Sequence, residues 1–214
     1  MKPSSPPRQR ARQKRSIRSE GAIIAAAEAV LARDGWFALT MNAVANEAGV
    51  SVGGIYRQFP GKEDLLRVVK DAVLSRGDEA YQELMTQKPR SLSSAVDCYL
   101  DGRVAWLRDH GAIFRRILQA PMVDPANGER ARRSFELGLR AFRYLVGGFR
   151  SEMGHKDPEL AIETAYFLAN AALIRRVQSF PTDVIVEHIN WDVLRGELKT
   201  MLLTYLRNDR PQRK

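Results

Sequence analysis

The chain has 214 residues, of which 44% are apolar and 28% charged, a composition typical of a folded globular protein rather than a disordered one. The formal net charge of +9 favours a polyanionic partner. Its apolar runs fall short of the ~20 residues that a membrane-spanning helix needs, and no apolar segment follows the basic N-terminus, so we expect neither a membrane anchor nor a secretory signal. Cys98 is the only cysteine, which excludes an internal disulfide and predicts a reducing, cytoplasmic setting.

Residues 1–15 are predicted to form a basic, disordered arm. Seven Lys and Arg residues and no acidic residue lie within positions 1–19. Residues 3–7 are prolines and serines, which do not nucleate regular structure. Such an arm suits contact with a polyanion such as double-stranded DNA, and the alternative is a tail that only improves solubility.

Residues 16–61 predict a helix-turn-helix domain, in which a first Ala-rich helix supports two short helices. The hydroxyls of Thr40 and Ser51 are suited to cap the two short helices. Gly49 lies between them and supplies the left-handed backbone that ends the first one. So short a connection makes the helices cross steeply, which is the geometry that places the second helix in the DNA major groove.

The rest of the chain shows helical periodicity and no strand alternation, and prolines separate the predicted helices. The sequence therefore predicts an all-α fold of about nine helices. Their approximate ranges are 17–33, 41–48, 52–59, 62–85, 92–110, 113–118, 135–149, 160–180 and 184–206.

The last two predicted helices are apolar on more than one side, so each needs two packing partners. One partner is the rest of the domain, and we interpret the other as a second copy of the chain in a homodimer. The alternative is a core that lies entirely within one chain. The residues assigned to the dimer interface are Leu168, Ala171, Trp191, Leu194, Leu198 and Met201.

The sequence shows no pattern of a catalytic or metal site. His110, His155 and His188 are far apart and show neither an HExxH motif nor the spacing of a Cys/His zinc site. A GxSxG motif, a phosphate-binding glycine loop and a dinucleotide fingerprint are also missing. We therefore expect no enzyme activity, no metal and no cofactor.

The segment from Ile17 to Leu66 resembles the N-terminal domain of the tetracycline-repressor (TetR) family of bacterial transcription regulators. The resemblance rests on the sequences GWFALT at 35–40, TMNAVANEAGVS at 40–51 and IYRQFPGKEDLL at 55–66. The chain departs from residues that the family often has: Leu39 replaces a threonine, Arg57 a tyrosine and Gln58 a histidine.

We expect the start and the exposed face of the second short helix to read DNA bases while polar side chains bind phosphates. Val52 is suited to a thymine methyl, and Arg57 to a guanine or a phosphate. Two glycines bring the backbone close to the groove or are neutral there, and the ring of Tyr56 could instead pack in the core. The resemblance implies phosphate contacts for Thr40, Tyr56, Gln58 and Lys62. The full set expected at DNA is Thr40, Ser51, Val52, Gly53, Gly54, Tyr56, Arg57, Gln58 and Lys62.

The resemblance further implies that residues 62–214 form a helical domain that binds a small-molecule effector and dimerises. The residues that could line an effector pocket, or could simply be core, are Trp106, Phe114, Met122, Phe135, Phe142 and Tyr166. The sequence thus predicts a DNA-binding transcriptional regulator, a repressor that the effector releases from a palindromic operator. The alternatives are a DNA-binding regulator without a small-molecule effector and an all-α enzyme.

Overall fold

A computed structural model describes residues 7–120, 125–178 and 188–208, with side chains described from Ser19 in the first range and from Gly128 in the second. These residues contain eight α-helices, one 3-10 helix and no strand, so the all-α prediction is confirmed. None of the helices in the described ranges has both the length and the apolarity needed to cross a membrane. The helices are α1 (Pro7–Asp34), α2 (Met41–Ala48), α3 (Val52–Tyr56), α4 (Lys62–Leu84), α5 (Leu92–Gln119), α6 (Pro125–Val146), the 3-10 helix (Gly147–Glu152), α7 (Pro158–Gln178) and α8 (Trp191–Arg207).

Helix α1 begins at Pro7, so the arm predicted as disordered over residues 1–15 is helical from that residue onward. The sequence between positions 8 and 15 consists of Arg, Gln, Lys and Ala, all of which favour helix. Proline is itself well suited to the first helical position, where its missing N–H costs no hydrogen bond. The part of the arm before Pro7 lies outside the described residues.

Helix α5 is continuous, although the sequence predicted two helices interrupted at Gly111. Positive φ angles among the described glycines occur at Gly35 and Gly49, and Gly111 keeps a conformation that continues the helix. Leu107 and Phe114, on either side of it, are both buried. Burial of these flanking side chains outweighs the ~1 kcal/mol that glycine costs inside a helix. The loop predicted up to Gly128 is also shorter, since α6 begins at Pro125.

The chain divides into two compact units. Unit 1 contains the described residues up to Val73 together with Gln119 and Ala120, and unit 2 contains 74–118 and the described residues from Pro125 onward. The division falls within α4, whereas the sequence placed the domain boundary between residues 61 and 62.

The core of unit 1 is built on α1. Its residues Ile23, Ala27 and Leu31 are fully buried, and α1 packs against α2, which in turn packs against α3. Val44 from α2 and Ile55 from α3 are also fully buried. Burial of each large aliphatic side chain stabilises the unit by about 1.5–3 kcal/mol, so α1 holds the two short helices in place.

The core of unit 2 contains three fully buried rings contributed by α5, α6 and α7. The Tyr99 and Phe142 rings meet edge to face with centroids 4.8 Å apart, and the Tyr166 ring lies 6.1 Å from each of them. Helix α8 packs on α7 and is joined to α5 by ion pairs, in which Arg195 donates to Asp97 at 2.6 Å and Lys199 donates to the same carboxylate at 2.7 Å.

Candidate functional site

The connection between α2 and α3 is held by the caps that the sequence predicted. The Thr40 hydroxyl accepts a hydrogen bond from the Ala43 N–H, and the Ser51 hydroxyl accepts one from the Gly54 N–H, both at 3.1 Å. Gly49 has a left-handed backbone, with φ 64° and ψ 33°, and its N–H bonds back into the end of α2. The three features fix α3 directly after α2 with a three-residue connection.

The crossing of α2 and α3 is close because the contacting side chains are small and apolar. Val44, Ala45 and Ile55 are 0%, 1% and 0% exposed, which leaves no room for water between the helices. Backbone hydrogen bonds from Arg57 to Gly53 and from Phe59 to Ile55 extend the helical turn beyond the formal end of α3. The pair is therefore a rigid support for whatever the outer side of α3 contacts.

The outer side of α3 is polar and open. Gly53, Tyr56 and Arg57 are exposed on it, and we call these three residues the α3 face. Tyr56 is 53% exposed, which favours a contact role over the core packing that the sequence left open. Ser51 is exposed, whereas Val52 is half-buried at the start of the helix.

The two glycines at the start of α3 are not equivalent. A Cβ added to Gly53 would meet nothing within 4 Å, while one added to Gly54 would lie 3.2 Å from the Ser51 hydroxyl and 3.8 Å from an Arg57 nitrogen. Gly54 therefore leaves room for the cap and for the Arg57 guanidinium. At Gly53 the missing side chain leaves the backbone open to an incoming partner.

Gln58 and Lys62 are held by residues from earlier in the chain. The Gln58 amide donates to the Ser19 hydroxyl at 3.3 Å, and Lys62 donates to the Trp36 carbonyl oxygen at 2.7 Å. The Lys62 ammonium also lies 3.8 Å above the centroid of the Trp36 ring, and burial lowers the pKa of Lys62. Both side chains thus fix α3 and the start of α4 to the segments before them.

Phe37 is a surface residue to which sequence reasoning gave no role. It lies in the turn between α1 and α2 and is 92% exposed, whereas Leu39, two positions later, is fully buried. So large an exposed ring, next to Trp36 in the sequence, is unusual for a residue without a partner. In the sequence, Phe37 lies in a short apolar run of which only part can be buried in the core, and this run could have indicated an exposed ring.

Of the six residues predicted to line an effector pocket, five lie within the described residues. Phe142 and Tyr166 are fully buried and belong to the packed ring cluster, as the core alternative proposed. Trp106 and Phe114 are each 8% exposed and meet edge to face at 5.4 Å, while Phe135 is 37% exposed and lies 4.9 Å from the Tyr166 ring. Met122 lies outside the described residues.

Among the described effector candidates, Trp106 is the one that lines an open groove along α5 and the end of α4. The groove has a volume of about 470 Å³. Glu83, Asp101 and Asp109 give it an acidic lining, and the Trp106 ring stacks on His110 at 4.9 Å. The acidic character contrasts with the basic net charge of the chain.

The residues predicted at a dimer interface fall into two groups. Leu168 and Met201 are 49% and 60% exposed, Ala171 is exposed, and Trp191 and Leu194 are half-buried. Leu198 is only 5% exposed, so most of its side chain is buried within its own chain. It belongs with Leu202 and Leu206 to the inward stripe of α8, and the ion pairs of Arg195 and Lys199 with α5 set this orientation.

The same two helices carry additional exposed apolar side chains. Leu160 and Phe167 on α7 are 52% and 59% exposed, and Val193 on α8 is 43% exposed. We call Leu160, Phe167, Leu168, Val193 and Met201 the α7–α8 apolar surface. Large apolar side chains concentrated on two adjacent helices mark an interaction surface more often than a solvated one.

Comparison with known proteins gives matches both in sequence and in fold. Residues 23–69 match the family described as bacterial regulatory proteins, tetR family. Over 88 residues the chain is 33% identical to YfiR of Bacillus subtilis (strain 168), an uncharacterized HTH-type transcriptional regulator. That alignment covers 41% of the chain and 42% of YfiR, so the chain matches less than half the length of this relative.

Two solved structures illustrate the similarity of fold. One is a protein from Mesorhizobium loti MAFF303099 assigned to the TetR family of transcriptional regulators, with a TM-score of 0.66, 20% identity and coverage of 90% of this chain and 96% of that one. The other is the transcriptional regulator FadR of Bacillus subtilis in complex with stearoyl-CoA, with a TM-score of 0.61, 18% identity and coverage of 89% and 98%. At these identities the likeness shows the fold alone.

Proposed function

We propose that the chain, whose residues 23–69 match the tetR family of bacterial regulatory proteins, belongs to that family and regulates transcription by binding a specific double-stranded DNA sequence. The observation that carries this proposal is the α3 face, which is exposed on top of a rigid, capped pair of helices. A helix presented in this way enters the major groove, where base edges can be distinguished.

The residues of the α3 face and those beside it are suited to different contacts with DNA. Gly53 allows the backbone to approach the groove, and the half-buried Val52 beside it offers a methyl-sized apolar contact to thymine. Arg57 can donate to guanine or to a phosphate, and the Tyr56 hydroxyl can donate to a phosphate. The caps leave Thr40 and Ser51 at the helix starts, where backbone N–H groups and the helix dipoles also favour phosphate.

Lys62 adds positive charge beside this face. Its hydrogen bond to Trp36 uses one of three ammonium protons, so the others remain available for a phosphate. The Trp36 ring and carbonyl hold the side chain in place, which reduces the conformational entropy lost when a phosphate binds. The Gln58 side chain is hydrogen-bonded to Ser19, so we assign it the role of holding α3 in place rather than that of a direct contact with DNA.

The functional form is a homodimer that uses the α7–α8 apolar surface. Exposed apolar side chains on two adjacent helices suit a four-helix bundle between two protomers related by a two-fold axis. Two copies of α3 would then read two half-sites of a palindromic operator, one helical turn or a multiple of it apart.

A small molecule bound in unit 2 would release the DNA, which makes the protein a ligand-responsive repressor. The complex of Bacillus subtilis FadR with stearoyl-CoA supports an amphipathic effector for a protein of this fold. The effector needs to favour the conformation that does not bind DNA by about 1–3 kcal/mol. The closed packing of Tyr99, Phe142 and Tyr166 is the observation that favours the second candidate, a regulator without a small-molecule effector.

We place this function in the cytoplasm, where the single thiol of Cys98 remains reduced and DNA is accessible. The test is selection of bound duplexes from a random DNA library by the purified protein. The expected result is enrichment of a palindrome whose half-sites are spaced by about one helical turn. A library without enrichment after repeated rounds, from protein that is folded by circular dichroism, would contradict the proposal.

A further inference from the structure

Arg103 on α5 is a buried cation without an acidic partner among the described residues. It is 4% exposed, and it is the one charged side chain of unit 2 within the described ranges that is buried to this degree. Its Nε and Nη1 atoms have no hydrogen-bond partner in the described part of the chain. A buried charge in proteins is normally paired, so an unpaired one requires an explanation.

Two aromatic rings compensate for only part of this burial. The Arg103 guanidinium carbon lies 4.5 Å from the centroid of the Tyr81 ring and 5.2 Å from that of the Trp106 ring. Such contacts stabilise the positive charge through the faces of the rings. They do not supply acceptors for N–H groups that point along the guanidinium plane, and these donors stay unsatisfied.

Two further donors near Arg103 are unsatisfied as well. The Tyr99 hydroxyl and the Trp106 indole N–H are buried and have no partner among the described residues. Tyr99 precedes Arg103 by four positions and Trp106 follows it by three, so all three side chains lie on one side of α5. Burial raises the pKa of Tyr99 well above its ordinary value, which keeps its hydroxyl protonated and able to donate.

The shared property of the three residues is that each has at least one buried donor atom without a hydrogen-bond partner among the described residues. The proximity of the Arg103 charge to the Tyr99 hydroxyl, which opposes the rise of the Tyr99 pKa, does not satisfy the Nε and Nη1 donors. The nearby Tyr166 hydroxyl shows the ordinary situation, since it donates to the Phe135 carbonyl oxygen at 3.0 Å. Buried donors without acceptors are rare in native proteins, and a group of them beside a positive charge is the arrangement that an anion satisfies.

We propose that Arg103, Tyr99 and Trp106 bind the carboxylate of an amphipathic effector. The inference rests on the proposed function, for which it specifies the chemical class of the ligand. A carboxylate carries one negative charge and two acceptor oxygens, which balance one guanidinium and accept from several donors. A phosphate would carry more negative charge than this single cation neutralises, at a buried site where the excess is costly.

The surroundings define the rest of the ligand. The Tyr99 ring contacts Phe142 at 4.8 Å and the Trp106 ring contacts Phe114 at 5.4 Å, so the donors are enclosed by aromatic side chains. An apolar tail suits these contacts. The open groove that Trp106 also lines carries Glu83, Asp101 and Asp109, whose negative charges repel an anion. The carboxylate therefore lies on the Arg103 side of the indole ring.

The test is calorimetric titration of the full chain with three probes that share one tail: decanoate, decan-1-ol and decylammonium. The expected result is that decanoate binds most tightly. Arg103→Met, which keeps the length of the side chain without its charge, weakens decanoate binding by about 10-fold or more and leaves decanol binding unchanged. Tyr99→Phe, which keeps the ring, weakens decanoate binding by a smaller factor. Arg140→Met, at an exposed position of α6, is the matched control and changes neither.

Thermal unfolding of the same variants separates this proposal from a purely structural role of Arg103. If the Arg103 cation has no partner in the absence of ligand, Arg103→Met unfolds at the same temperature as the wild type or at a higher one. Decanoate then raises the unfolding temperature of the wild type but not that of Arg103→Met. Equal affinity for decanoate and decanol in both proteins overturns the inference, as does binding of none of the three probes. DNA binding is measured on the same samples. If the wild-type protein binds no DNA, the proposed function is contradicted, whatever the result of these titrations.

Discussion

The ammonium of Lys62 lies 3.8 Å above the centroid of the Trp36 ring and donates a hydrogen bond to the carbonyl oxygen of the same residue at 2.7 Å. One side chain at the start of α4 is thus bound to the turn between α1 and α2. Together with the Gln58–Ser19 hydrogen bond, this contact joins residues that follow the two short helices to residues that precede them. Lys62 therefore has a structural role in addition to its proposed contact with DNA.

Replacement of Lys62 by Met is expected to lower the stability of the protein by about 1–2 kcal/mol, because a charge-assisted hydrogen bond and a cation–π contact are both lost. Chemical denaturation measures this loss. Lys156→Met, at an exposed position, is the matched control and should leave the unfolding midpoint unchanged. Equal stability of the two variants would mean that Trp36 does not hold Lys62.

Two glycines that lie inside helices should respond in opposite ways to alanine. A Cβ at Gly111 meets nothing within 4 Å, so Gly111→Ala should stabilise the protein by about 0.5–1 kcal/mol through helix propensity. A Cβ at Gly138 would overlap the Tyr166 hydroxyl and would lie 2.6 Å from the Tyr81 ring. Gly138→Ala should therefore destabilise it by about 1–3 kcal/mol. Calorimetric unfolding compares the two, and stabilisation by both would contradict the close packing at Gly138.

The sequence could predict the helix-turn-helix in detail because its determinants are local. The caps by Thr40 and Ser51 and the left-handed Gly49 each depend on residues at most a few positions away. The partners of Gln58 and Lys62 could not be predicted, because Ser19 and Trp36 lie 39 and 26 positions earlier and only the packed fold brings them together.

The errors in unit 2 have the same origin. The apolar pattern of α8 does not reveal its rotation, which Arg195 and Lys199 set through ion pairs to Asp97, about a hundred positions earlier. Leu198 consequently faces the core of its own chain. The break predicted at Gly111 failed because a local helix-breaking preference is weaker than the burial of the side chains on both sides. The unsatisfied donors around Arg103 are likewise invisible in a sequence.

The dimer proposal predicts that charge on the α7–α8 apolar surface separates the protomers. Leu168→Asp combined with Met201→Asp should give monomers in analytical ultracentrifugation, because desolvating two carboxylates at an interface costs more than the contact gains. Leu118→Asp, at an apolar position of α5 that is 38% exposed, is the control and should remain dimeric. A wild-type protein that is monomeric at micromolar concentration would contradict the two-site operator.

The basic N-terminal segment predicts a sequence-independent contribution to DNA affinity. Removal of residues 2–14 deletes five of the seven Lys and Arg residues that precede Glu20, and the first described core residue, Ile23, stays in place. Affinity for specific and for random duplexes should fall together, and the dependence on salt should weaken by about one unit of slope per lost phosphate contact. Fluorescence anisotropy over a series of salt concentrations measures both. Identical isotherms for the two proteins would assign the segment to solubility.

Arg57 allows the decisive experiment on the α3 face, because its two possible roles give different results. If it binds a phosphate, Arg57→Ala should weaken binding to all duplexes alike and reduce the salt slope by about one unit. If it donates to a guanine, the variant should lose discrimination at a single base pair in each half-site, by about 1–3 kcal/mol.

The measurement is a titration of wild type, Arg57→Ala and the exposed control Arg140→Ala against the selected operator and its single-base variants. The fold should be unaffected, since Arg57 is exposed and its backbone N–H, which alanine retains, makes the bond to Gly53. Wild-type affinity of Arg57→Ala for every duplex would exclude this residue as a contact. Combined with the same result for Tyr56→Phe, it would mean that the α3 face does not lie in the groove.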